Sequence, residues 1–144
     1  MRHDADAALD WVVRPQSGYA GDVSAHLAWQ WVSGGEAVLV DVRTDAEREW
    51  VGFVPGAVPV AWKQWPGMAM NATFDEQIQS AAGDKAVVLL CRSGVRSIAA
   101  AKRATELGLK AYNILEGFEG DPDSGAQRGR RGGWRYRGLP WRPN

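Results

Sequence analysis

Among the reactive side chains of this 144-residue sequence, Cys91 is the single cysteine. It closes the apolar run Ala86-Val87-Val88-Leu89-Leu90 and is followed at once by Arg92-Ser93-Gly94-Val95-Arg96-Ser97. That order is a strand passing through a tight turn into a helix, and it sets a thiol beside two guanidinium groups and the unpaired N–H groups of a helix start. The thiolate is the nucleophilic form of cysteine, and cations and helix N-termini favour it. Gly94 supplies the positive φ that a nest of backbone N–H groups requires. The spacing predicts a thiol that ionises readily and a loop that holds an anion on or near sulfur. Most free cysteines are simply buried apolar residues. The Arg-x-Gly-x-Arg pattern sets this one apart, because core packing has no use for two arginines.

Stepping along the chain, strand and helix signals alternate, which predicts an α/β layer fold with a mostly parallel sheet. Ser24 reads as the N-cap of a helix carrying Leu27 and Trp31 at i, i+4, with Val23 just ahead of it. Ala37-Val38-Leu39-Val40 reads as a buried strand. Asp41-Val42-Arg43 and the capping box Thr44-Asp45-Ala46-Glu47 then start a helix to about Trp50. Gly52-Phe53-Val54-Pro55-Gly56 is a turn, and Ala57-Val58-Pro59-Val60 a short strand. Pro59 cannot donate to a ladder, so that strand belongs at an edge. Residues 63–72 show no period and read as loop. Thr73-Phe74-Asp75-Glu76 is a second capping box, opening a helix that stops near Gly83. After the Cys91 loop comes a helix from about Ser97 to Leu107, ended by Gly108, and a last strand, Ala111-Tyr112-Asn113-Ile114. In such a sheet ligands bind outside the C-terminal strand ends. Asp41-Val42-Arg43 and Cys91 to Arg96 are both strand-end clusters and are expected on one rim.

Composition sets outer limits. The length suits one domain with a real core. A lone cysteine excludes an intramolecular disulfide, and two histidines, His3 and His26, provide no zinc-ligand spacing, so no metal is expected. No apolar run approaches the roughly 18 residues of a membrane span, and the N-terminus lacks a signal-peptide layout. The expectation is a soluble, cytoplasmic protein in a reducing compartment. Net charge is formally zero, yet residues 121–144 carry six arginines against Asp121 and Asp123. A basic tail follows an acidic body.

Four segments, in order, resemble the single-domain rhodanese (thiosulfate sulfurtransferase) family: Leu39-Val40-Asp41-Val42-Arg43 with Glu49-Trp50, the turn from Gly52 to Ala57 leading to Trp62, the loop Cys91 to Ser97, and Asn113-Ile114-Leu115-Glu116-Gly117. The resemblance spans about residues 19–120, and the ending from Gly132 to Trp141 is similar to tails of bacterial members. It implies a rhodanese-like α/β domain, a central mostly parallel sheet of about five strands with helices on both faces, preceded by an extension (1–18) and followed by a basic Gly/Arg/Trp-rich tail (121–144) packed on the domain. One departure is Phe53, where the family usually has histidine in a structural turn.

The activity implied is sulfur transfer. Cys91 would take the sulfane sulfur of thiosulfate or a similar donor as a persulfide and yield it to cyanide, a thiol or a sulfur-accepting protein. Arg92, Ser93, Gly94, Val95, Arg96 and Ser97 would form the loop that holds sulfur and donor, with no cofactor. Four residues between Cys91 and Arg96, against five in dual-specificity phosphatases, favour sulfur over phosphate. Arg92 directly after the cysteine looks more like thiosulfate-using members than mercaptopyruvate-using ones. Asp41 and Arg43 are expected behind the loop, hydrogen-bonded to it or to each other. Glu49 is a candidate partner for an arginine such as Arg43, Trp62 and Trp65 for an apolar wall, and His26 is read as a surface residue. Two rival readings belong to other classes. The tail, Arg128 to Arg137, mixes arginine, glycine and aromatics as RNA-binding segments do, although zero net charge lacks their basic footprint. A non-catalytic interaction module is the other, against which stands Cys91 with its full loop.

Overall fold

The computed structural model describes residues 13–64, 69–92, 94, 96–120 and 133–143. Eight strands and four helices are present among them: β1 (Val13–Arg14), β2 (Gly21–Val23), α1 (Ala25–Ser33), β3 (Ala37–Asp41), α2 (Asp45–Val51), β4 (Val58–Pro59), β5 (Lys63–Gln64), β6 (Ala69–Met70), α3 (Phe74–Ala82), β7 (Ala86–Leu90), α4 (Arg96–Glu106) and β8 (Ala111–Ile114). Six strands form one sheet in the order β1-β2-β8-β7-β3-β4, and β5 and β6 make a separate hairpin. Every pairing from β2 to β4 is parallel; β1 alone runs antiparallel, on β2.

The central strands are buried on both faces, which is why they read as continuous apolar runs. Along β7, Val87 and Leu89 point to one core with Phe74 and Ile78 of α3 and Ala100, Ala101 and Ala104 of α4. Val88 and Leu90 point to the other, with Ala25 and Ala28 of α1, Phe118 and Trp134. The alanine face of α4 brings that helix close against the sheet. Helices therefore cover both faces, as expected. The sheet has six strands where about five were expected, because β1 and β2 are only two and three residues long and carry too little periodicity to be seen in sequence. Val13–Arg14 joins the sheet from within the segment read as an N-terminal extension.

Locally, the Thr44 capping box forms, with the Thr44 hydroxyl accepting from the Glu47 N–H and the Glu47 carboxylate accepting from the Thr44 N–H. Pro59 lies on an edge strand, β4. Ser24 occupies the N-cap of α1 as expected, with extended backbone and no side-chain capping bond. Two local expectations are corrected. Thr73 caps α3 without a side-chain bond as well, because its hydroxyl and N–H both donate to Asn71 Oδ1, at 3.0 and 3.1 Å. Residues 63–72, read as loop, include the β5–β6 hairpin, paired at Lys63 with Met70; residues 65–68 lie outside the described set.

Residues 133–143 pack back on the domain. Trp134 is fully buried, donates from Nε1 to the Pro140 carbonyl at 2.7 Å, and meets Trp29 of α1 edge to face. Phe53 and Arg142 exchange two backbone hydrogen bonds of 2.8 Å. In this chain the turn that carries Phe53 in place of histidine is thus held through its backbone by the C-terminal segment.

Candidate functional site

β3 and β7 are parallel neighbours, with Asp41 opposite Leu90. The residues that follow them therefore emerge at the same sheet edge, the C-terminal one. Cys91 sits directly beyond β7, completely buried. Its carbonyl accepts from the Phe118 N–H at 2.7 Å, and the Arg92 carbonyl accepts from Glu119 and Gly120. The turn after β8 thereby clamps the backbone of the cysteine loop. Gly94 has φ of 89°, and a Cβ there would stand 2.9 Å from the Glu116 nitrogen, so this position requires glycine both for conformation and for space.

Among the described residues, two neutral groups reach the sulfur. The Gly94 N–H donates to Cys91 Sγ at 3.1 Å, and Ser97 Oγ in the first turn of α4 lies 3.1 Å from it. The two arginines of the loop differ in their surroundings. Arg92 is exposed. Arg96 is drawn to α2, where its Nη1 pairs with Glu47 Oε1 at 2.5 Å. Burial pushes the Glu47 carboxyl up, but the hydrogen bond and charge of Arg96, with the bonds from Thr44, outweigh it and hold the carboxyl below its usual range. Ser93 and Val95 lie outside the described residues.

Behind the loop, Asp41 and Arg43 are both fully buried. Arg43 grips Asp41 through Nε at 3.0 Å and Nη2 at 2.8 Å, donates to the Gly52 carbonyl at 2.8 Å, and lays its guanidinium 4.2 Å from the centre of the Phe118 ring. Of the two alternatives for this pair, the structure has them bonded to each other. Their link to the cysteine loop runs through Phe118, whose N–H holds the Cys91 carbonyl.

Glu49 is exposed and is not the partner of Arg43; the α2 carboxylate that engages an arginine of the loop is Glu47, on Arg96, because the helix phase turns residue 47, not 49, toward the loop. Trp62 packs edge to face on Phe74, 4.8 Å between centres, as a core contact, and Trp65 lies outside the described residues. His26 is half-buried rather than on the open surface. Sequence reading also missed Asn113 and Asp22, which lie behind Ser97. Asn113 belonged to a quoted motif without an assigned role, and Asp22 lies in a three-residue strand that gave no signal. Among the described residues no cluster of three His, Cys, Asp or Glu side chains could hold a metal ion, and no helix is long and apolar enough to cross a membrane.

Comparison with known proteins bears on this geometry. A family model described as "Rhodanese-like domain" matches residues 24–121. The chain is 36% identical over 116 residues to an uncharacterized protein of Rickettsia conorii, covering 76% of this chain and 86% of that one. It is 34% identical over 83 residues to the candidate sulfurtransferase YtwF of Bacillus subtilis, covering 58% of this chain and 71% of that protein. The crystal structure of Rv0390 from M. tuberculosis superposes with a TM-score of 0.80 at 42% identity, covering 88% of this chain and 99% of that one.

Proposed function

This chain belongs to the rhodanese-like domain family, and from that premise we propose that it is a sulfurtransferase with Cys91 as its sulfur carrier. The observation that carries the reading is the seat of the sulfur: buried, at a strand end, with the Gly94 N–H and the Ser97 hydroxyl each 3.1 Å away. The Gly94 N–H stabilises negative charge on sulfur without a histidine base, and the Ser97 hydroxyl adds to it when its hydrogen turns to the sulfur. The likeness to a candidate sulfurtransferase supports the same reading.

In the first half-reaction the Cys91 thiolate attacks the sulfane sulfur of thiosulfate. A new S–S bond forms as the sulfur–sulfur bond of the donor breaks, and sulfite leaves with the electron pair. Cys91 is left as an anionic persulfide. In the second, cyanide or a thiolate attacks the terminal sulfur, forming thiocyanate or a new persulfide and returning the Cys91 thiolate. Arg92, exposed at the loop, is suited to meet the oxyanion end of a charged donor. Arg96, held by Glu47, stiffens the loop from the side of α2.

The test is intact mass after incubation with thiosulfate. A gain of one sulfur, about 32 Da, that cyanide removes and Cys91→Ser abolishes is the expected result. Absence of a cyanide-labile adduct with thiosulfate and other persulfide donors would sink the transferase reading and leave that of a non-catalytic interaction module.

A further inference from the structure

A buried run of polar side chains leaves the sulfur and crosses to β2. Ser97 Oγ lies 3.1 Å from Cys91 Sγ and also in hydrogen-bond contact with Asn113 Oδ1 on β8. Asn113 Nδ2 donates to Asp22 Oδ1 at 3.0 Å and to the Gly94 carbonyl at 3.1 Å. Asp22 accepts further bonds of 2.8 Å from the Tyr19 hydroxyl and the Gln16 amide. Asn113 and Asp22 are 1% and 8% exposed, and Ser97 is fully buried. Burying a carboxylate among neutral donors costs free energy, so stability alone does not account for Asp22.

Counting hydrogens gives the run a direction. Both groups facing Asn113 Nδ2 are acceptors, so the amide turns its oxygen to Ser97. Ser97 has one hydroxyl hydrogen and two acceptors in reach, Asn113 Oδ1 and Cys91 Sγ. With the hydrogen toward Asn113, a Ser97 lone pair faces sulfur and suits an S–H group. With sulfur anionic, the hydrogen must turn to sulfur, and the two oxygens are left lone pair against lone pair. We infer that Asp22 and Asn113 are positioning residues that draw the Ser97 hydroxyl away from Cys91 and so oppose charge on its sulfur. The Gly94 N–H acts the other way. The loop thus sets a donor that favours the anion against a couple that withholds a second one. Tyr19 is pushed up to about 12, by burial first and then by the bond and charge of Asp22, so it stays a donor to Asp22 throughout the range in which a thiol titrates.

Other charged groups on the elements around the loop are the Asp41–Arg43 pair with Arg48 beside it, the Glu47–Arg96 pair, Asp45 and Glu49 on α2, Lys102, Arg103 and Glu106 on α4 with Asp75 paired to Arg103, Arg92, and Glu116 and Glu119 with their partners Arg137 and Arg135. All are common to the variants compared below.

The inference takes its functional meaning from Cys91 as sulfur carrier, but its test uses no sulfur donor. Protein labelled with 13C at cysteine Cβ carries one reporter, whose shift separates S–H from the thiolate. At the pH where the wild-type signal stands midway between its limits, Asn113→Ala and Asp22→Asn are expected to raise the ionised-to-protonated ratio, by about threefold for Asn113→Ala, the scale of one net hydrogen bond. Ser97→Ala is expected to lower it. Because Asn113 acts through Ser97, the double variant Ser97→Ala/Asn113→Ala should match Ser97→Ala alone. Shifts of one sign in all variants, no shift in the Asn113 and Asp22 variants, or an additive double variant would overturn the inference. Should Asn113→Ala fail to fold, Asp22→Asn in the wild-type and Ser97→Ala backgrounds makes the same comparison. Loss of persulfide loading with these signs intact would count against the transferase reading and not against this one.

Discussion

Arg43 is a fully buried cation whose charge is met by Asp41 and whose flat face lies on Phe118. Removing Asp41 leaves the Arg43 charge in the core without its carboxylate, and removing Arg43 leaves Asp41 with only the more distant Arg48, at 3.4 Å; breaking such a pair costs about 3–5 kcal/mol. Asp41→Asn and Arg43→Met are therefore each expected to lower stability by that amount in urea unfolding at neutral pH. Arg43→Lys should rescue only part of it, since a single ammonium cannot reproduce the two-pronged grip on Asp41 and the bond to Gly52 together. Glu47 makes a prediction in pH. Its carboxyl is lowered in the folded chain, so its contribution is complete above the unfolded carboxylate value and is lost as pH falls through the lowered folded value. In Glu47→Gln the fall in stability below about pH 4.5 should be shallower than in wild type, as followed by tryptophan fluorescence.

The elements around the loop were legible in sequence to different degrees. β3, β7 and β8 carry four or five residues, mostly apolar and buried on both faces, and α4 has a long small-residue stripe with a glycine stop. Their strength is local and could be read directly. β1, β2 and the β5–β6 hairpin are two or three residues each, held by register with neighbours distant in sequence, and a window on the chain cannot see that. The cysteine loop lies between the two cases. Its residue types announced a turn, but the clamp on it comes from Phe118, Glu119 and Gly120 after β8. Gly94→Ala tests the clamp at this scale: the added Cβ meets the Glu116 nitrogen at 2.9 Å and the Ile114 carbonyl at 3.2 Å, and φ is positive. The expected outcome is a protein that keeps its helix and strand signals in far-ultraviolet circular dichroism, is destabilised by about 1–3 kcal/mol, and loads sulfur more slowly because the N–H no longer meets Sγ.

At the scale of the molecule, the C-terminal segment is part of the core. Trp134 is fully buried between α1 and Phe118, Leu139 is buried beside it, and Trp141 meets Phe118 edge to face. Trp134→Ala should cost about 3–5 kcal/mol, the usual range for a large aromatic in a core, and appear as a lowered midpoint in thermal unfolding. The described part of the basic segment is also occupied: Arg137 forms a two-pronged bond to Glu116, and Arg135 stacks near Phe118 and Trp141 and approaches Glu119. Those arginines serve the fold, which leaves the stacking and phosphate contacts of an RNA-binding arm with little support from residues 133–143.

By itself the sequence determined the α/β class, the single thiol at a strand end, the glycine that lets its loop curl, and the family likeness. Each rests on residue type and spacing within short segments, or on the order of such segments along the chain, where local propensity and periodicity act. Tertiary structure decided which groups face the sulfur. It turned Arg96 to Glu47 and left Arg92 exposed, paired Asp41 with Arg43 beneath Phe118, and brought Asn113 and Asp22 behind Ser97. Apart from Asp41 and Arg43, two residues apart, those partners lie on different strands and helices, 49 residues apart for Arg96 and Glu47 and 91 for Asn113 and Asp22. Only the packing of the sheet and its helices brings them within hydrogen-bond distance, and in a buried site it is that distance, together with the count of donors and acceptors, that governs where a proton or a charge can rest.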